Sequence, residues 1–387
     1  MRRARLGPRL RAGSTQSQHR EQRGQARENE SAHLSSPLSN DPWSGDCLHL
    51  NTGAEVAQPR YGVRPGPTPL CGYVAAADVR RSAEEDDMDG TAPEELLERY
   101  LARIGLDAPP AVGLAGLQEL HRAHVARIPY DNLSTMLDRP DPADPASAVA
   151  RAASGARVGY CFQQNAALET LLTALGFAVS RRHGHVWTRP EDELGTRLNH
   201  LVLVVSGLPS TGNPGGHWWV DAGLGEGFAE PLPLVRGEHE VDGWTFRIGA
   251  GFGAQAAGRP TGPAAWTYHH FPDGGLRGVV VTSRDHSADA VAESHRWLTT
   301  ADESPFRRFV VVQRIERGVQ RAVRNLVQQV TTPTGREARD LTSYDDWRGA
   351  LVDDLLLPVA DVTSEEWSGL WEHALASHRA WDEAGRP

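Results

Sequence analysis

The chain of 387 residues contains no lysine, so all 40 of its basic residues are arginine. Without lysine the chain can neither form a Schiff base through a side-chain amine nor hold phosphate with the lysine of a P-loop. The formal net charge of -10 argues against a nucleic-acid surface, because phosphate binding needs a concentrated basic face. We therefore expect neither lysine-based chemistry nor a nucleic-acid partner.

Cysteine and long apolar runs are also scarce. The three cysteines, Cys47, Cys71 and Cys161, show no CxxC spacing, which argues against a disulfide framework or a zinc cage. The histidines between 183 and 217 lack the ordered close ligand pairs of a structural zinc site. No apolar run approaches the roughly 18 to 20 residues of a membrane helix. The sequence predicts a cytoplasmic protein without a membrane span, a metal or a permanently bound cofactor.

Residues 1–87 differ in composition from the rest of the chain. They are rich in Arg, Ser, Gly, Gln, Asn and Pro, and they show no sustained apolar period. We predict that this segment is disordered, or that it is an over-extended reading frame and translation begins at Met88.

The residues after Met88 predict helices first, then strands, then both. This order predicts an α+β fold rather than an alternating βαβ chain. On the second helix, His121 and His124 are predicted to share a partly exposed face. Helical periodicity and caps predict helices at 91–104, 114–127, 161–175, 343–356 and 364–383, and apolar β-prone runs predict strands at 177–187, 199–205, 217–223, 244–248, 277–283 and 308–315.

Cys161 opens the third predicted helix, in the stretch GARVGYCFQQN. A thiol at this position faces unsatisfied backbone N–H groups and the positive end of the helix dipole, which favour the thiolate. A free cysteine can equally be a small buried apolar residue. Position alone leaves the nucleophile and the packing residue as equal alternatives.

A nucleophilic thiol needs a base, and the base needs an acceptor that orients it. His200 stands at the start of the predicted strand in NHLVLVV, and Asp221 closes the strand in HWWVDAG. Two adjacent strands would bring these side chains together beside the helix of Cys161. Spacing alone does not distinguish this triad from a core histidine and a turn acceptor.

Several motifs of the chain resemble those of the arylamine N-acetyltransferase family. RVGYCFQQN at 157–165 resembles the signature Arg-Gly-Gly-x-Cys-x-Glu-x-Asn, and IPYDNL at 128–133 is similar to Ile-Pro-Phe-Glu-Asn-Leu. NHLVLVV at 199–205 is similar to Thr-His-Met-Leu-Leu-Leu-Val, and WVDAGLG at 219–225 to Leu-Val-Asp-Val-Gly-Phe-Gly. The resemblance runs in order through roughly residues 92–380 and leaves 1–87 unmatched.

This resemblance implies a helical bundle at 88–176, an antiparallel β-barrel at 177–298 and an α/β lid at 299–387, with a cysteine-protease-like catalytic core. It implies acetyl transfer from acetyl-CoA to an arylamine or hydrazine by a ping-pong mechanism through a cysteine thioester. Cys161 would be the nucleophile, His200 its base and Asp221 the residue that orients the imidazole. The residues implied to line the substrate or CoA site are Tyr130, Phe162, Gly223, Leu224 and Gly225.

The chain departs from the family pattern at three positions. Val158 replaces a signature glycine, Gln163 replaces the signature glutamate, and Leu224 stands in place of a phenylalanine. The aliphatic Leu224 leaves open an amide synthase of the same family, which would act on a carrier-bound acyl chain. Val158 and Gln163 leave open a non-catalytic protein that binds acyl-CoA or an aromatic ligand.

Overall fold

The structure is a computed structural model that describes residues 93–188, 199–250, 266–269, 276–282 and 287–386. The predictions for residues 1–87 and for Met88 lie outside the described residues, as do Cys47 and Cys71. No helix among the described ranges is long and apolar enough to cross a membrane.

The described part of the chain begins with helices, most of which share one apolar core. Tyr100, Leu117 and Leu168 are completely buried there, together with residues of the neighbouring sheet. Two of these helices, Leu133–Met136 and Pro145–Ser154, were not predicted. Asp144 caps the second by accepting a hydrogen bond from the Ser147 N–H at 2.8 Å. The elements are α1 (Pro93–Ile104), α2 (Leu114–Arg127), β1 (Tyr130–Asp131), α3 (Leu133–Met136), α4 (Pro145–Ser154) and α5 (Cys161–Ala174).

Eight strands then form a nearly closed, barrel-like antiparallel sheet in the order β5-β4-β3-β2-β9-β8-β7-β6. Aromatic side chains fill its core, and Trp219 and Trp266 meet edge to face with their ring centroids 5.7 Å apart. The strands are β2 (Ala178–Trp187), β3 (His200–Ser206), β4 (Trp218–Val220), β5 (Leu232–Pro233), β6 (Gly237–Val241), β7 (Trp244–Ala250), β8 (Trp266–His269) and β9 (Gly278–Val281).

The rest of the described chain adds helices and four strands, and these strands join β1 in a second antiparallel sheet with the order β1-β10-β11-β12-β13. Trp347 and Trp367 pack edge to face in its core, with their ring centroids 5.6 Å apart. The elements are α6 (Ala288–Thr300), α7 (Pro305–Arg308), β10 (Val311–Glu316), β11 (Val319–Arg324), β12 (Val327–Thr332), β13 (Gly335–Asp340), α8 (Tyr344–Gly349), a π-helical turn (Ala350–Asp354) and α9 (Ser364–Glu383).

Strand β1 joins the early helices to the last sheet, because it pairs with β10. Next to it, Asn132 donates to the carbonyl oxygens of Phe306 and Phe309 at 2.9 and 2.7 Å. The predicted mixed fold of helices and sheets is confirmed. The predicted boundary between residues 298 and 299 falls inside α6, whose buried Leu298 packs in one cluster with Tyr160 and Cys161.

Candidate active site

Cys161 is the first residue of α5, as predicted, and only 3% of it is exposed. The turn before it depends on Gly159, which has a φ of 108°. A Cβ atom there would lie 2.3 Å from the Gln163 Oε1 atom. Val158 does not adopt a positive φ and is completely buried in the helical core. The replaced signature glycine is therefore a position that a β-branched residue can occupy without backbone strain.

Gln163 holds the start of α5 through both ends of its amide. Its Oε1 atom accepts a hydrogen bond from the Tyr160 N–H at 3.0 Å, and its Nε2 donates to the Asp141 carbonyl at 2.8 Å. The second bond requires a donor, which an ionised glutamate lacks. The glutamine thus suits its surroundings here.

The Arg157 side chain pairs with a carboxylate from another part of the chain. Its guanidinium forms a bidentate ion pair with Asp361, in which its two terminal nitrogens donate to Oδ1 and Oδ2 at 2.5 and 2.6 Å. It also donates to the Pro358 carbonyl at 3.0 Å. Such paired hydrogen bonds fix geometry as well as adding energy. The segment before Cys161 is thereby held to the chain that precedes α9.

His200 and Asp221 lie together inside the protein, with 1% and 2% of each residue exposed. The His200 Nε2 atom is 2.7 Å from the Asp221 Oδ2 atom. The Asp221 carboxylate accepts three further hydrogen bonds. Trp219 Nε1 donates to Oδ2 at 3.0 Å, and Asn165 Nδ2 and the Gly223 N–H donate to Oδ1 at 2.8 and 3.0 Å. Together the four hydrogen bonds fix the direction of the Asp221 carboxylate.

Asn165 was not singled out from the sequence, although it lies one helical turn after Cys161. Its Nδ2 also donates to the Leu201 carbonyl at 2.6 Å, and its Oδ1 accepts from the Ala222 N–H at 2.9 Å. This one amide therefore links α5 to β3 and to the turn after β4. The (i, i+4) spacing from the cysteine was the signal that could have identified it.

The electrostatics of the site centre on His200. Burial alone would lower the pKa of its imidazole, but the charge of Asp221 and its hydrogen bond, followed by a hydrogen bond with Cys161, raise the pKa to about 10. The ring therefore carries a proton at neutral pH. The Cys161 Sγ atom itself is 3.6 Å from the Asn199 carbonyl oxygen.

The prediction that His121 and His124 lie on a partly exposed face is wrong, because both are completely buried. The Asp221 N–H donates to the Nε2 atom of His121 at 3.2 Å, so the other ring nitrogen, Nδ1, donates to the Ala229 carbonyl at 3.0 Å. Burial lowers the pKa of His121, which keeps the ring neutral and suited to accept. His121 thus holds the backbone of Asp221.

His124 is the centre of a second buried chain of hydrogen bonds. Gln164 donates through Nε2 to the carbonyls of Pro129 and Gly159, at 2.8 and 3.0 Å, which leaves its Oε1 facing His124 Nε2 at 2.7 Å. His124 must donate there, so its Nδ1 accepts from the Tyr100 hydroxyl at 2.6 Å. Burial lowers the pKa of His124 to about 3, consistent with this neutral tautomer.

We expect the Tyr100→Phe substitution to lower the free energy of unfolding by about 1–3 kcal/mol, because it leaves the buried Nδ1 of His124 without its donor. Urea titration followed by circular dichroism measures the change. Tyr344→Phe is the matched control, since Tyr344 is half-buried and its hydroxyl makes no hydrogen bond among the described residues. Equal effects of the two substitutions would contradict the prediction.

A cavity of about 390 Å³ opens onto Cys161 and His200. Of the five residues predicted to line the site, Tyr130, Gly223 and Leu224 do line this cavity. Phe162 is instead completely buried in the cluster around Tyr160, because its side chain points into the protein from the first turn of α5. Gly225 lies against Gln313 and borders a separate, much smaller cavity.

Other parts of the cavity wall were missed by the sequence interpretation. Glu226 follows the WVDAGLG motif directly, and Gln313, Phe309 and Arg324 come from the C-terminal part of the chain. No local pattern marks those three, because they come to the cavity only through the pairing of β1 with β10 and of β10 with β11. Within the part of the chain that the structure describes, no group of acidic, His or Cys side chains is arranged to hold a metal.

Comparisons with known proteins agree with these motifs. A sequence model of the N-acetyltransferase family matches residues 113–360, which is more than half of the chain. An arylamine N-acetyltransferase of Mycolicibacterium smegmatis is 36% identical over 141 residues, which are 36% of this chain and 50% of that protein. Proansamycin X synthase of Amycolatopsis mediterranei is 28% identical over 160 residues, which are 39% of this chain and 57% of that protein. The chain thus spans about half the length of the curated relatives it matches.

The structural comparison covers more of the chain. The structure of Mycobacterium marinum arylamine N-acetyltransferase in complex with CoA is similar with a TM-score of 0.61 and 20% identity. The similarity covers 72% of this chain and 98% of the other. At that identity the likeness shows a shared fold. Together with the sequence match over residues 113–360, it shows that this chain belongs to the N-acetyltransferase family.

Proposed function

We propose that the protein is an acyltransferase that moves an acetyl group from acetyl-CoA, through a thioester on Cys161, to the nitrogen of an arylamine or hydrazine. The observation that carries the proposal is the position of Cys161 at a helix start and on the wall of a cavity, beside a His200 ring bonded to Asp221. A thiol, a base and an orienting carboxylate in this arrangement suit nucleophilic acyl transfer.

In the first half of the reaction, the Cys161 thiolate attacks the carbonyl carbon of acetyl-CoA. A carbon–sulfur bond to Cys161 forms as the carbon–sulfur bond to CoA breaks. The CoA sulfur leaves with the electron pair of that bond and takes the proton from the His200 imidazolium. Because one thioester replaces another, this half is nearly balanced in energy.

In the second half, the amine nitrogen attacks the carbonyl carbon of the enzyme thioester. The neutral His200 takes the proton that the nitrogen loses, a carbon–nitrogen bond forms, and Cys161 leaves as the thiolate. Asp221 stabilises the imidazolium formed in this step and keeps the ring oriented. An aromatic amine suits this step, because it is unprotonated and nucleophilic at neutral pH.

We expect the protein to gain a single acetyl group when it is incubated with acetyl-CoA in the absence of an acceptor, and we expect Cys161→Ala to gain none. Intact-protein mass spectrometry measures the adduct, and adding aniline should remove it. Cys47→Ser and Cys71→Ser are the matched controls and should form the adduct as the unaltered protein does. An adduct that survives Cys161→Ala would refute the assignment of the nucleophile.

A second candidate is an amide synthase that takes its acyl group from a carrier protein. Its support is the aliphatic Leu224 in the cavity wall and the sequence similarity to proansamycin X synthase. An acyl adduct on Cys161 that forms from a carrier-bound chain but not from acetyl-CoA would favour this candidate.

A further inference from the structure

The cavity beside Cys161 and His200 contains a phenol side chain in its wall. This side chain is Tyr130, which lines the cavity and packs against the buried cluster around Tyr160 and Cys161. The motif IPYDNL places a tyrosine here, where the similar motif Ile-Pro-Phe-Glu-Asn-Leu has a phenylalanine. The chain therefore adds one hydroxyl group to a ring that lies beside the proposed nucleophile.

The Tyr130 hydroxyl forms no hydrogen bond with any of the described residues. Two other buried tyrosines of the same region differ in this respect. The Tyr100 hydroxyl is 2.6 Å from the Nδ1 atom of His124. The Tyr160 hydroxyl is likewise 2.6 Å from the Nδ1 atom of His295. Because a buried tyrosine hydroxyl usually has a partner, the Tyr130 hydroxyl is a group that a ligand in the cavity can satisfy.

The cross-strand neighbour of Tyr130 is engaged elsewhere. Tyr130 stands directly opposite Gln313 in the pairing of β1 with β10, so the two side chains lie on one face of the sheet. Gln313 Nε2 donates to Glu226 Oε1 at 3.1 Å, and the Gln313 Oε1 atom lies against Gly225. The Gln313 amide therefore supports the turn after β4 and leaves the Tyr130 hydroxyl unpaired.

The surroundings keep the Tyr130 hydroxyl protonated. Burial raises the pKa of Tyr130 well above its ordinary value, and the negative charges of Cys161 and Asp131 raise it further. At neutral pH the group is therefore an uncharged donor that can also accept. Much of the cavity wall is apolar, which strengthens a hydrogen bond made there and makes an unpaired polar group costly. The apolar members of the wall include Val186, Leu224, Leu276 and Leu298.

We propose that the Tyr130 hydroxyl makes the cavity selective for arylamine acceptors that carry a hydroxyl group on the ring. The inference rests on the proposed acyl transfer, because it concerns the second substrate of that reaction. The amine nitrogen faces the thioester on Cys161, while the oxygen of the ring hydroxyl accepts the hydrogen bond that Tyr130 donates. An acceptor without this oxygen leaves the Tyr130 hydroxyl unpaired in an apolar wall, so its transition state is bound less tightly.

Two acceptors of nearly equal size test the selectivity. In 3-aminophenol a hydroxyl replaces the methyl group of 3-methylaniline, and at the meta position neither group conjugates directly with the amine. We expect the acetylated enzyme to transfer its acetyl group to the nitrogen of 3-aminophenol with a kcat/KM about tenfold higher. Chromatography of the N-acetyl products measures both rates. Equal kcat/KM values, or a higher value for 3-methylaniline, would overturn the inference.

Tyr130→Phe keeps the ring and removes only the hydroxyl. We expect it to reduce the ratio of the two kcat/KM values to about one, mainly through a loss of rate with 3-aminophenol. Tyr344→Phe is the matched control, because Tyr344 does not line the cavity, and it should keep the preference of the unaltered protein. A preference that persists in Tyr130→Phe, or an equal loss of rate with both acceptors, would overturn the inference.

The rate with 3-methylaniline separates this inference from the proposed function. Transfer to 3-methylaniline supports the acyl transfer whatever the preference between the two acceptors. Equal transfer to both acceptors therefore overturns the role of Tyr130 alone, whereas an acetylated enzyme that transfers to neither contradicts both proposals.

Discussion

The Asp221→Asn substitution should lower the rate of acetyl-adduct formation by about 10³- to 10⁴-fold. The carboxylate accepts four hydrogen bonds, from His200, Trp219, Asn165 and the Gly223 N–H. An asparagine has only one acceptor oxygen. Its NH2 group would face N–H donors that bonded to the second carboxylate oxygen, and two donors cannot bond to each other. The variant therefore loses both the charge that stabilises the imidazolium and the orientation of the ring.

The same substitution should change how stability depends on pH. Because the pKa of His200 is raised above its ordinary value of 6.5, its ionisation stabilises the fold below pH 6.5. This contribution is lost as the pH rises through about 10, the pKa in the folded protein. Asp221→Asn removes the main cause of the raised pKa, so the decline of stability between pH 6.5 and 10 should become shallower.

Stopped-flow measurement of CoA release gives the rate of adduct formation, and urea titrations at several pH values give the stability. Asp346→Asn is the matched control, because Asp346 pairs with Arg339 and does not line the cavity. It should leave the rate unchanged. A rate for Asp221→Asn within tenfold of the unaltered protein, in a sample with an unaltered circular dichroism spectrum, would contradict the assigned role of this carboxylate.

Gly223→Ala should reduce adduct formation by about 100-fold or more. A Cβ at this position would lie 2.5 Å from the Cα of Cys161, 2.8 Å from its Cβ and 3.0 Å from the Nδ2 of Asn165. The helix backbone cannot move aside as a flexible side chain can, so either α5 or the turn after β4 must shift. A displacement of about 1 Å is sufficient to cost about 10²-fold in rate.

Overpacking of this kind should also cost about 1–3 kcal/mol of unfolding free energy. Gly212→Ala is the matched control, since a Cβ there would meet nothing within 4 Å. Intact-mass time courses and melting temperatures should separate the two variants. Unchanged adduct formation in Gly223→Ala would mean that the close approach of the two backbones does not position the nucleophile.

Much of the local structure could be predicted from the sequence. Helices Leu114–Arg127 and Ser364–Glu383 have the predicted limits, because helical period and capping residues are local properties. Helix Pro145–Ser154 was missed, although Asp144 caps it and Pro145 stands in its first turn. Helix Ala288–Thr300 and strands β11 to β13 were missed as well.

The residues of the candidate active site were likewise only partly predictable from the sequence. Residue types and motifs pointed to Cys161, His200 and Asp221, but they misjudged the burial of His121 and did not identify Asn165. His121 is in contact with Asp221, 100 residues later, and Asn165 with the same carboxylate, 56 residues later. Glu226 meets Gln313 across 87 residues. Such contacts depend on how the helices and the two sheets pack, and no local period encodes them.

The sequence by itself determined the family motifs, the start of the helix at Cys161 and the absence of lysine chemistry, because each follows from residue type and short-range spacing. The tertiary structure alone decided that Val158 fits without a positive φ, that four donors surround Asp221, and that a carboxylate and a guanidinium share the cavity. The physical reason is that hydrogen bonds and charges act over a few ångströms. Which groups come that close is set by the packing of segments far apart in the chain.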